Sequence, residues 1–200
     1  MGASAHAPTA VAAVNDDAFK DIARGRIAVW WFLASEIMVF GGFITCYVLF
    51  RYAHGGWEDA ARHVNWKLGA VNTVVLLTSS LTMILAHHAV KVGDKQGVKT
   101  FLGLTIALGL TFLVIKGFEY HAEFAEGFTP LSGLFWSFYF LMTGLHGLHL
   151  LVGIIINLSL LVMALRGTIW ACGDRVELGG LYWHFVDVVW IFLFPLLYLT

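Results

Sequence analysis

The chain has 200 residues, of which 59% are hydrophobic and only 12% charged, with a formal net charge of -1. Soluble domains carry an apolar share nearer ~45–50%, so lipid is the solvent for most of this chain. The Lys and Arg residues form no clustered patch, which sets nucleic acid aside as a partner.

The first 25 residues, MGASAHAPTAVAAVNDDAFKDIARG, lack a cationic start followed by an apolar core. Asp16, Asp17 and Asp21 also speak against a transit peptide. The segment reads as a soluble, partly disordered cytoplasmic tail over 1–25, ahead of one transmembrane domain over 26–200.

A hydrocarbon core of ~30 Å needs about 20 apolar residues in a helix. Segments near 27–50, 67–90, 98–118, 132–165 and 180–199 meet that requirement, which predicts an all-α polytopic bundle of five transmembrane helices. The fourth is longer than one crossing needs and is expected to tilt or project. Lys20, Arg24, Arg26, Lys91, Lys95, Lys99, Arg166 and Arg175 fall on one side, against Arg51, Arg62, Lys67 and Lys116 on the other. Basic residues stay cytoplasmic, so the N-terminus is expected inside and the C-terminus outside.

Polar residues at membrane depth are costly and therefore informative. In the first span, Glu36 lies about ten residues past Arg26, hence roughly 15 Å inward. It reads either as a proton-binding carboxyl or as a polar contact that fixes helix packing. Gly41 and Gly42 on the same span mark a tight helix contact. His87 and His88 end the second span, where interfacial tips are cheap.

In the fourth span, His146 and His149 share a face at i, i+3 spacing within TGLHGLHLLVG. A haem iron with two His ligands draws them from different helices, and the neighbouring Gly144, Gly147 and Gly153 suit close helix approach. Packing with hydrogen bonds across the interface is the favoured role, with a ligand role and a proton or lipid-headgroup role as the alternatives. In the fifth span, His184 and Asp187 share a face between Trp183 and Trp190. A cluster of Glu36, His184 and Asp187 on the inner half of the membrane is sterically allowed, and mutual hydrogen bonds would lower the burial cost of each.

Trp57, Trp66 and Trp170 stand near span ends, and Trp136 near the point where the fourth helix leaves the lipid. Cys46 and Cys172 have neither a CxxC nor a finger-like His spacing, and their positions toward opposite sides argue against a disulfide. No HExxH, phosphate loop, dinucleotide fingerprint or nucleophile–base motif occurs, so the residues compose no complete redox or hydrolytic centre and no catalytic residue is expected on this chain.

Four stretches in order, WFLASEIMVFGGF, KGFEYHAEF, FWSFYFLMTGLHGLHLLVG and YWHFVDVVWIFLFPLLY, together resemble subunit III of the haem-copper terminal oxidases. The resemblance covers about residues 27–199 and is to the shorter five-helix bacterial form, which lacks the first two helices of seven-helix members. It implies a multi-pass protein of the bacterial inner membrane in an aerobic respiratory chain, without haem or copper of its own. Those cofactors are expected in partner subunits. The chain would pack directly on oxidase subunit I, beside others such as subunit II, bind phospholipid and sustain proton uptake and stability.

Carried over by motif, Glu36 matches a buried carboxyl that is carbodiimide-reactive in several members. His146 and His149 match an HGLH motif, His184 and Asp187 a WHFVD motif that also contains Trp183, and Glu119 with Tyr120 an EY pair. None is implied to bind metal. A quinol oxidase subunit III or a nitric oxide reductase accessory protein is the near alternative. A stand-alone proton carrier and a membrane cytochrome are the distant ones.

Overall fold

The computed structural model describes residues 10–57, 61–171 and 173–199. Helices α1 (Ala10–Ala53), α2 (Trp66–Val92), α3 (Lys95–Ala125), α4 (Leu134–Leu165) and α5 (Gly173–Tyr198) follow in order, with a 3₁₀ turn at Ile169–Ala171 before the last. All five helices are long and apolar enough to cross a membrane, α1 over Gly25–Ala53. Every regular element among the described residues is helical, as expected.

Two differences from expectation concern helix ends. The tail expected to be partly disordered is helical from Ala10 onward, while residues 1–9 lie outside the described part. The alanines of that segment are the best helix formers, so the backbone continues the helix of the first span. The third helix runs to Ala125, about two turns past the predicted end at 118. Its last turns bury Glu119 and Glu123 rather than offering them to solvent.

Local chemistry explains the tight connection between α2 and α3. Gly93 takes the left-handed conformation with φ 78° and closes α2. Asp94 then starts α3 by accepting from the Gln96 and Gly97 amides at 3.1 and 3.0 Å. These two residues satisfy backbone groups that lipid could not. Asn65 plays the same part at the start of α2, its side chain accepting from Lys67 and Leu68 amides.

Helices α2, α3, α4 and α5 close into a four-helix bundle in which α2 packs on α3, α3 on α4, α4 on α5 and α5 back on α2. Trp183 is its keystone. The indole is fully buried and donates to Ser79 of α2 at 3.1 Å. It also lies so close to Gly109 of α3 and Gly153 of α4 that an added Cβ would stand 2.8 and 2.9 Å from ring atoms. Thus one side chain of α5 meets all three other bundle helices.

Helix α1 lies outside the bundle against α5 and α4. Gly41 and Gly42 have no atom within 4 Å of where a Cβ would stand, so the close contact expected of them is not made within this chain. They face outward because α1 turns Leu33, Phe40 and Tyr47 inward instead. Cys46 is an exposed free thiol, and Cys172 lies outside the described residues.

Below, the end of the bundle bearing Lys91, Lys95, Arg166 and Arg175 is termed the basic end.

Candidate functional site

The polar residues buried among these helices fall into three groups at different depths. Nearest the end opposite the basic one, Lys116 of α3 is only 6% exposed and pairs with Glu119, itself 2% exposed, one turn along. Its ammonium donates to Glu119 at 3.2 Å, to the Tyr139 oxygen of α4 at 3.2 Å and to the Tyr198 oxygen of α5 at 2.6 Å. Tyr139 donates in turn to the second Glu119 oxygen at 2.8 Å. Rings of Tyr120, Tyr139, Trp190 and Tyr198 surround the ammonium at 4.8–5.7 Å from their centroids. The carboxylate offsets the lysine charge while the aromatic faces take the place of hydration, so three helices are joined through one cation. Tyr120 completes the group by bonding Thr143 of α4 at 2.6 Å.

At mid-depth, Glu36 of α1 reaches His149 of α4, Oε2 to Nε2 at 3.0 Å. The other ring nitrogen of His149 bonds the Leu145 carbonyl at 2.8 Å, which fixes the ring, and Phe40 of α1 packs edge-on against it. Tyr182 of α5 donates to the His149 carbonyl at 3.0 Å. His146, one turn earlier, takes a different environment. It is fully buried between Phe112 of α3 and Trp190 of α5, and neither ring nitrogen has a hydrogen-bond partner. The two histidines of the HGLH motif therefore diverge, one toward α1 and one into the bundle.

On the α2–α5 seam, His184 Nδ1 lies 2.6 Å from the Ser80 hydroxyl. Asp187 is 3% exposed, with the Ser80 hydroxyl facing it and neither carboxyl oxygen hydrogen-bonded. The cluster of Glu36, His184 and Asp187 is thus not formed. Helix α5 turns His184 toward α2 and Tyr182 toward α1, where Tyr182 packs on Phe32, so the two polar pairs sit on different faces.

Lys116, Tyr139, Tyr198 and Ser80 were not among the expected site residues. Lys116 stands inside an apolar run three residues before Glu119, and that opposite-charge spacing on a helix was the available signal. Among the described residues, no group of three or more His, Cys, Asp and Glu side chains could hold a metal ion.

The family model for cytochrome c oxidase subunit III matches residues 16–200. The chain belongs to the cytochrome c oxidase subunit III family. It is 35% identical over 196 residues to cytochrome c oxidase subunit 3 of Corynebacterium diphtheriae, covering 96% of this chain and 93% of that one. Identity to the Thermostichus vulcanus subunit 3 is 34% over 170 residues, or 84% of this chain and 83% of the relative. For the Bacillus subtilis subunit 3 it is 31% over 175 residues, 86% and 84% of the two chains.

Members of the cytochrome c oxidase subunit III family are non-catalytic subunits of a multi-subunit haem-copper oxidase, and the chain is a multi-pass bacterial membrane protein of that kind. The buried groups above accordingly belong to a non-catalytic subunit of a multi-subunit complex.

Proposed function

We propose that the chain packs directly on the catalytic subunit I, beside subunit II, holds phospholipid, and sustains proton uptake and long-term stability of the oxidase. The observation that carries the docking reading is the surface left open by the fold. Gly41 and Gly42 on α1 and Gly103 and Gly117 on α3 have no atom within 4 Å of a would-be Cβ. Apolar side chains such as Met38, Val48, Leu110 and Val114 stand exposed beside them. Between membrane helices, small residues of this kind allow backbones of a second subunit to approach closely.

The lipid reading is supported by a groove of about 540 Å³ between α1, α4 and α5, walled by Phe32, Val152, Ile156, Met163 and Leu178. Arg175, in the first turn of α5, lines the same groove, so an acyl chain and an anionic headgroup would both find partners. Orientation follows from the basic end. Lys116 is buried in the bundle and drops out of the count, leaving Arg51, Arg62 and Lys67 against the larger basic set. That set supports a cytoplasmic N-terminus, with the segment 1–25 on the same side.

Purification of the tagged chain in mild detergent should bring down a haem-bearing subunit I, together with phospholipid detectable by native mass spectrometry. Replacing Arg175 by Glu should reduce the retained anionic lipid and leave subunit I attached. Recovery of the chain without any haem-copper subunit would overturn the reading.

A further inference from the structure

Asp187 presents a problem of hydrogen-bond accounting. It is almost wholly buried in α5, and among the described residues neither of its oxygens is hydrogen-bonded and no charged group acts on it from α2, α3 or α4. An anion in such a place would lack both solvation and a counter-charge. The Ser80 hydroxyl, which faces it, is also held 2.6 Å from His184 Nδ1.

The next link lies toward the basic end. A groove of about 160 Å³ runs between α2 and α5, and His184, His87 and Glu177 all line it. Its volume is room for a few waters at ~30 Å³ each. With Nδ1 turned to Ser80, His184 has Nε2 left for the groove. His87 has a buried Nδ1 without a partner, and Lys91 and Glu177 are the charged groups that face it. Glu177 reaches the surface, where Arg26 of α1 pairs with it at 2.5 Å.

The geometry points to a proton-exchange path that runs from the basic end through the α2–α5 groove, by way of His87, His184 and Ser80, to a proton-binding site at Asp187. In one direction a rotation of the Asp187 carboxyl brings its proton to the Ser80 oxygen, Ser80 passes its own proton to His184 Nδ1, and His184 releases its Nε2 proton to groove water. Ser80 ends unchanged, His184 ends as the other neutral tautomer, the water gains one proton and Asp187 has lost one. The reverse sequence restores every group, so a deuteron from outside replaces the carboxyl proton without any other chemistry. The Glu36–His149 pair takes no part, because it lies on the α1 side of the bundle. The path depends only on this chain's own helices and is independent of where subunit I docks.

Infrared spectroscopy on the intact oxidase complex in lipid nanodiscs tests this. On transfer from H₂O to D₂O, a protonated-carboxyl band absent from Asp187→Asn should shift, showing that this buried group carries and exchanges a proton. Ser80→Ala and, separately, His87→Phe at the groove should keep the band but slow its shift about tenfold or more, as expected for loss of one hydrogen-bonded link. Thr78→Val, which alters a hydroxyl of α2 that bonds only its own helix, serves as the matched control and should exchange at the parent rate. Two results would each overturn the path: no carboxyl band removed by Asp187→Asn, or exchange in both Ser80→Ala and His87→Phe as fast as in the control. The His87 variant guards against misfolding at Ser80, which sits mid-helix against α5, since His87 is half-buried near the helix end.

Discussion

Lys116 is the residue whose removal should be felt most. In the fold it is one half of a buried ion pair, and the desolvation of both charges is offset only while both are present. Lys116→Met would leave Glu119 at 2% exposure with a tyrosine donor but no counter-ion. Breaking a buried pair from one side costs about 3–5 kcal/mol. The double variant Lys116→Met/Glu119→Gln removes both charges and should recover most of that loss. A double-mutant cycle on thermal unfolding in detergent measures the difference, and simple addition of the two single losses would show that the residues do not act as a pair. The four surrounding rings limit the recovery, because the cation–π contacts with Tyr120, Tyr139, Trp190 and Tyr198 go with the lysine.

At the scale of the helix, the contact between α4 and α5 depends on Gly153 having no side chain. A methyl there would stand 2.9 Å from the Trp183 ring, which is wedged by Gly109 on its other side and cannot retreat. Gly153→Ala should therefore lower stability by about 1–3 kcal/mol through overpacking, read as an earlier thermal transition. An unchanged transition would mean that the indole has room the packing does not suggest. The same contact shows what a sequence can and cannot disclose in lipid. Run length alone reveals five crossings, because every backbone polar group in the hydrocarbon must be satisfied within a helix. Helix periodicity also reveals that His184 and Asp187 share a face. What that face meets is hidden, since lipid tails and neighbouring helices are equally apolar and hydropathy does not distinguish them. Hence Glu36, for which a cluster with His184 and Asp187 was sterically allowed, bonds His149 instead, and the tight contact that Gly41 and Gly42 mark is not made within the described part of this chain. Lys116 was counted among the basic residues of the outer side because the third span was expected to end at 118, ahead of EYHAEFA. Its acids turn inward, and the helix continues through them.

Seen across the whole molecule, the five helices do not share one stability. Helices α2 to α5 form a closed ring of contacts, whereas among the described residues α1 lies mainly against α4 and α5. Three of the polar links that hold α1 are Glu36 to His149, Tyr47 to the Leu196 carbonyl at 3.0 Å, and Arg26 to Glu177. The last is a half-exposed surface pair, a class worth about 0–1 kcal/mol. The half-buried Glu36–His149 contact at mid-depth is the strongest of the three by its surroundings, because lipid offers no competing donor. Helix α1 also supplies one wall of the apolar groove and a face open to another subunit, so its attachment bears on both proposed roles. Hydrogen exchange of the purified chain in detergent should show α1 amides opening before those of the bundle, as a separate unit of lower stability. Glu36→Leu should speed exchange along α1 about tenfold, the loss of one hydrogen bond to a charged or polarised group, while α2 to α5 stay at parent rates. Glu36→Gln keeps a polar atom in reach of the His149 ring and should fall between the two. Acceleration spread evenly over all five helices would instead make α1 an integral part of one cooperative unit, and the Glu36–His149 contact a pin for the whole bundle rather than for its outer helix.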